Sequence, residues 1–107
     1  MTTFDQREHA MEAKFAHDEE MKFCAFARRN KLLGLWAAER LGKTGDAAEA
    51  YAKAVVMSDF EEEGDHDVFR KIRTDFDAAG VDQSDHQIRR QMDDLFATAV
   101  AQLAAER

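Results

Sequence analysis

No proline occurs among the 107 residues, so nothing breaks a helix from within. A single cysteine excludes an internal disulfide and points to a reducing, cytosolic setting. Cys24 has no catalytic surroundings and reads as a small buried hydrophobe. Basic residues are outnumbered, 15 Lys and Arg against 22 Asp and Glu. The resulting net charge of −7 argues against a general nucleic-acid binder, whose affinity rests on neutralising phosphates. No apolar run approaches the length that spans a bilayer, so no direct membrane insertion is expected. Residues 1–20 lack the apolar centre of a signal peptide. There is no phosphate-binding glycine loop and no serine, histidine and carboxylate grouped around a nucleophile. We therefore do not expect an enzyme.

What is present is helix-forming and alanine-rich, in a length that makes one domain. The stretch from Phe23 to Gly42 organises the rest. As a helix it carries Phe23, Phe26, Leu32, Leu33, Leu35, Trp36 and Leu41 over a wide arc. Such an arc is normally enclosed by several neighbours, so this helix is expected to be the central pillar of a bundle. Gly42 follows its last periodic residue and marks its end. Asp46 with Glu49 predicts the cap of a second helix. That helix presents Ala47, Ala50, Tyr51, Ala54, Val55 and Ser58 on the side expected to face the pillar. It closes on Glu61, Glu62 and Glu63, which oppose the helix dipole. Asp65 is expected to cap a third helix with a stripe of Val68, Phe69, Ile72, Phe76 and Ala79, ended by Gly80. Ser84 and Gln87 form a further capping box. The fourth helix then carries Ile88, Met92, Leu95, Phe96, Ala99 and Leu103 at helical spacing. Short connections favour antiparallel neighbours, and the fold expected is all-α, a four-helix bundle over residues 19–107.

Residues 1–18 read differently. Thr3 and Gln6 could cap a helix, and Phe4, Met11 and Phe15 share a face with Glu8 between them. The stripe breaks at Asp18 and Lys22 before Phe26 resumes it, and Glu8 repels Glu12. A narrow helix with so little internal support is marginal alone. We expect a weakly ordered N-terminal arm that folds onto a partner, anchored by Phe4, Met11 and Phe15 with charges setting the register. His9 and His17 would let acidification tune that docking.

Other motifs carry less. Glu63 and His66 fit Glu-x-x-His, but one copy across a helix break makes no metal pair. The acidic run from Glu61 to Asp67 lacks the order of a calcium loop and reads as a solvated face. Arg28, Arg29 and Lys31, with Trp36 nearby, are the residues that could bind a polyphosphate and stack a base. The competing expectation is that most of them pair with the acidic end of the second helix.

Three strings then carry a resemblance. They are Phe4-Asp5-Gln6-Arg7-Glu8, Glu12-Ala13-Lys14-Phe15-Ala16-His17-Asp18, and Ala27 to Glu39 with its Arg-Arg-Asn-Lys-Leu-Leu-Gly-Leu-Trp core. With Leu41 to Gly45, Tyr51-Ala52, Val55-Val56, Asp59-Phe60-Glu61, Met92-Asp93 and Ala97 to Ala99, the chain resembles the zeta-subunit inhibitors of alpha-proteobacterial F-type ATP synthases over essentially its whole length. The resemblance implies a small cytoplasmic four-helix protein, held at the inner membrane only through the ATP synthase. It implies that the arm, here Phe4, Arg7, Glu8, Met11 and Phe15, enters an interface between catalytic subunits and rotor as a one-way stop on hydrolysis. It also implies weak adenine-nucleotide binding through the bundle, with no fixed cofactor. The rival reading is a nucleotide-sensing or scaffolding bundle without an inhibitory arm.

Overall fold

In the computed structural model, residues 19–59 and 66–106 are described. The expected arm, with Phe4, Arg7, Glu8, Met11 and Phe15, lies outside them, as do His9, His17, the three glutamates at 61–63 and the proposed cap Asp65. The described residues form four helices: α1 (Glu19–Arg40), α2 (Gly45–Ser58), α3 (His66–Ala79) and α4 (Asp85–Ala105). No strand occurs among the described residues. The all-α, four-helix expectation stands.

The turns follow from local chemistry. After α1 the Lys43 amide donates to Ala38 O at 2.9 Å and the Gly42 amide to Glu39 O at 3.1 Å. After α3 the Val81 amide donates to Phe76 O at 2.9 Å and the Gly80 amide to Asp77 O at 3.3 Å. This paired closure requires a left-handed residue, and Gly42 (φ 77°) and Gly80 (φ 71°) supply it without a Cβ clash. The predicted box before α4 is complete: Gln87 N donates to Ser84 Oγ at 3.1 Å and Ser84 N to Gln87 Oε1 at 2.8 Å. Arg73 ties the same turn, donating to Gln83 O at 2.6 Å and to Asp85 at 3.0 Å while it also pairs with Asp77.

Two expectations about α2 are corrected. Its N-cap is Thr44, extended and without a side-chain cap bond, so Asp46 lies inside the first turn rather than before it. There it complements the positive helix end instead of capping it. Its buried residues are Tyr51, Ala52, Val55 and Ser58, whereas Ala47, Ala50 and Ala54 are exposed. The helix is turned so that Ala52, not its neighbours on the alanine stripe, meets α1. The reason lies at Gly34, where the absence of a Cβ lets the Ala52 backbone come against α1.

α1 packs along α2 and α4, α2 along α3, and α3 along α4. The main core joins Leu33, Ala37 and Ala38 of α1, Tyr51 and Val55 of α2, Val68, Ile72 and Phe76 of α3, and Ile88 and Met92 of α4. Trp36 closes it, its ring tilted against Phe76 at 5.7 Å between centroids. A second, smaller core holds Ala25 and Val100 with Met21, Phe96, Leu103 and Ala104. Among the described residues it draws on α1 and α4 alone. The low-numbered half of α1 thus meets the high-numbered half of α4, an antiparallel pair. The pillar role expected for α1 is what the packing shows. In α3 the expected stripe holds at Val68, Ile72 and Phe76, with Phe69 packed at its margin, but Ala79 is exposed.

Candidate docking and ligand residues

The three basic residues of α1 singled out for a nucleotide do not converge. Arg28 reaches α4, where its guanidinium bonds both oxygens of Glu106 at 2.5 and 3.1 Å. That charge-assisted bond raises the Arg28 pKa and lowers that of Glu106. Among the described residues the partner of Arg28 is the end of α4; the acidic end of the second helix, residues 61–63, lies outside them.

Arg29 is only 2% exposed. Its guanidinium lies over the Phe26 ring at 5.2 Å, and its Nε donates to Asn30 Oδ1 at 2.8 Å. An arginine needs such contacts to be enclosed at all, because a buried charge without them is expensive. It faces the same side of α1 as Leu33, and Phe26 stacks in turn on Phe96 of α4 at 4.8 Å. This placement makes Arg29 a structural residue.

Lys31 is exposed and lines a groove of about 410 Å³ between α1 and α2, with Glu49, Ala50, Ala52, Lys53 and Val56. Among the described residues Lys31 makes no ion pair, whereas Arg28 is held by Glu106.

Cys24 is exposed, against the expectation of burial. Its neighbour Ala25 takes the inward position against Val100 instead, so the small buried residue of this turn is the alanine. Asn30 is 1% and Asp67 5% exposed, and the Asn30 Nδ2 and Asp67 Oδ2 atoms are enclosed without a hydrogen-bond partner. Each such group costs about 1–3 kcal/mol. His66 opens α3 and is exposed; its motif partner Glu63 lies outside the described residues. Among the described residues no three or more His, Cys, Asp or Glu side chains gather as a metal site, and no helix is long and apolar enough to cross a membrane.

One cluster escaped the sequence reading. At the far end of α1, Tyr51 Oη donates to Asp75 at 2.7 Å, and Lys71 Nζ donates to the same carboxylate at 3.1 Å. The Lys71 and Lys43 ammonium groups lie 5.1 and 6.0 Å from the Tyr51 ring centroid. Burial, then the bond to the Asp75 carboxylate, pushes the Tyr51 phenol far above its usual range. Lys71 and Asp75 were legible as an i,i+4 pair; their meeting with a tyrosine two dozen residues away was not. A shallow concavity of about 390 Å³ opens here, lined also by Leu41, Ala78 and Ala79.

The comparisons with known proteins agree with this architecture. The profile of the family described as ATPase inhibitor subunit zeta matches residues 1–102. A solution NMR structure is 50% identical, with a TM-score of 0.72, covering 81% of this chain and 99% of that one. None of the curated proteins matches.

Proposed function

Because the chain belongs to the ATPase inhibitor subunit zeta family, we propose that it restrains ATP hydrolysis by the catalytic head of an F-type ATP synthase through residues 1–18. Phe4, Met11 and Phe15 enter the interface between catalytic subunits and rotor as the apolar anchor. Arg7 and Glu8 set the register. The bundle holds the segment in place, and the block acts against hydrolysis as a one-way stop. Binding occurs on the cytoplasmic side, and the enzyme is the only link to the membrane.

The observation that carries this reading is the extent of the family match, which starts at residue 1 and runs through both the segment and the bundle. Burying the three anchors contributes roughly 1.5–3 kcal/mol each before the loss on ordering the segment.

Weak adenine-nucleotide binding belongs to Lys31, with Arg28 one turn away. Arg28 would exchange Glu106 for phosphate oxygens. Enclosure keeps Arg29 out of such a site.

The test is ATP hydrolysis by the purified cognate catalytic head, titrated with wild type and with Phe4→Ala/Phe15→Ala. The double variant is expected to lose inhibition while its thermal unfolding stays close to that of wild type. A markedly lower melting temperature would put these side chains in the fold's own core and overturn the division into segment and bundle.

A further inference from the structure

Four polar side chains are buried among the described residues: Arg29 and Asn30 of α1, Ser58 at the end of α2 and Asp67 in the first turn of α3. They lie toward one end of the main core. Gly34 meets Val55 where α1 and α2 run antiparallel, so Asn30 and Ser58, each about a turn further on, fall at one level. Trp36 meets Phe76, and from that contact Asn30 and Asp67 lie about 9 Å and about 14 Å toward the same end. Ser58 Oγ donates to Val55 O of its own helix at 2.6 Å, and Arg70 pairs with Asp67 Oδ1 of its own helix at 3.4 Å. Asn30 Nδ2 and Asp67 Oδ2 are enclosed with no hydrogen-bond partner among the described residues. Folded proteins rarely leave such groups unmet, and each one favours any form that returns it to water. The other half of α3 is fastened. Asp75 accepts bonds from Tyr51 of α2 and from Lys71, and Arg73 ties to Gln83 O and Asp85 beyond Gly80. α3 is also more lightly packed on its neighbours than α1 is on α2 or α4.

We infer that α3 is a hinged element that opens from its start. It pivots about the Gly80 turn, where Arg73 holds it, so the residues nearest His66 move furthest. Opening brings water to Asn30 and Asp67 and uncovers Val68, while α1, α2 and α4 keep their mutual packing. The closed form is held by Val68, Ile72 and Phe76, all fully buried. The open form is favoured by the two unmet polar atoms, which sit at the moving end and not at the hinge. The bond from Tyr51 to Asp75 marks the boundary between the two halves. The bundle thus holds two forms in balance, and a partner that prefers the open one selects it by its difference in affinity for the two.

The experiment is thiol labelling of the full chain under native conditions, with Cys24→Ser as background. Val68→Cys reports on the start of α3 and Val55→Cys on α2; both are valines with no exposure in the closed bundle. Each labelling rate is divided by that of the same chain unfolded in urea, which gives the fraction open, and the global stability of each variant comes from its urea unfolding. Val68→Cys is expected to be open at least about tenfold more than its global unfolding allows, with a urea dependence between zero and the global value. Val55→Cys is expected to label through global unfolding alone. Adding Asp67→Leu to Val68→Cys replaces the unmet carboxylate by an apolar group of similar size and is expected to lower the open fraction about tenfold. Labelling of Val68→Cys at the global limit, or labelling independent of urea as in end fraying, overturns the inference. So does an Asp67→Leu chain that labels as fast as its parent or faster, because the polar atoms would then not favour the open form. The comparison of Val68→Cys with Val55→Cys leaves the polar layer intact, so it decides the question even if the Asp67→Leu chain fails to fold.

Discussion

Replacing Gly34 by alanine sets two effects of opposite sign against each other. In an isolated helix the change stabilises by about 1 kcal/mol, because glycine is a poor helix former. In this fold the added methyl would stand 2.6 Å from the Ala52 Cα, 3.1 Å from the Ala52 Cβ and 3.2 Å from the Val55 Cβ. The nearest of these is backbone, so no rotamer change relieves it. Relief requires α1 and α2 to move apart, which loosens Val55 and Leu33, both fully buried in the main core. Overpacking typically costs about 1–3 kcal/mol, and a clash with backbone belongs at the top of that range. The net is a loss of about 2 kcal/mol. For a domain of this size each kcal/mol moves the melting temperature by about 4–8 °C. Thermal unfolding followed by far-ultraviolet circular dichroism should therefore fall by roughly 8–16 °C. Adding Ala52→Gly should restore only a minor part, because the methyl still meets the main chain at residue 52. A melting temperature equal to or above wild type would show that helix propensity wins and that the two helices separate at little cost.

Two further outcomes follow from the ion pairs and the buried phenol. The Tyr51 phenol has a raised pKa in the fold, so its stabilising contribution is complete below the unfolded value of about 10 and declines as pH rises beyond it. Denaturant unfolding across that range should show an alkaline loss that Tyr51→Phe largely abolishes, at a cost of about 1 kcal/mol at neutral pH; an unchanged alkaline slope would refute the assignment. Glu106 has a lowered pKa from its bond to Arg28, so that tie is present above the ordinary carboxylate range and is lost as pH falls through and below it. Amide exchange in the last turn of α4 should quicken on acidification, and Glu106→Gln should show fast exchange already at neutral pH; protection equal to wild type in that variant would remove the pair from the account.

The fold was legible because its punctuation is local. Gly42, Gly80 and the Ser84–Gln87 box each act within one turn of chain, and their residues state the outcome directly. The stripes of α3 and α4 were legible for the same reason, as one face of each helix meets one core. The orientation of α2 was not. Its alanines permit burial on several faces, and only the close approach at Gly34, a partner far away in sequence, selects Ala52. The burial of Arg29 was not legible for a similar reason. A charged residue is assigned to the surface by its type, and nothing in the chain announces that Phe26 and Asn30 will enclose it. Cys24 and Ala25 were equivalent small residues until packing against Val100 chose between them. The family resemblance was read from contiguous strings, which need no tertiary information.

The two long helices bear on how force passes through the molecule. α1 and α4 run 22 and 21 residues, against 14 each for α2 and α3. Their outer halves share a small core of their own, fastened at one side by Arg28 and Glu106. Residues 1–18 join the chain at that end. A load applied to them by a turning shaft would reach the two-helix neck before the main body. Among the described residues two helices brace this neck and four brace the main body, so a bend under such a load is expected at the neck first. Among the described residues the molecule is thus graded from two packed helices at one end to four in its body.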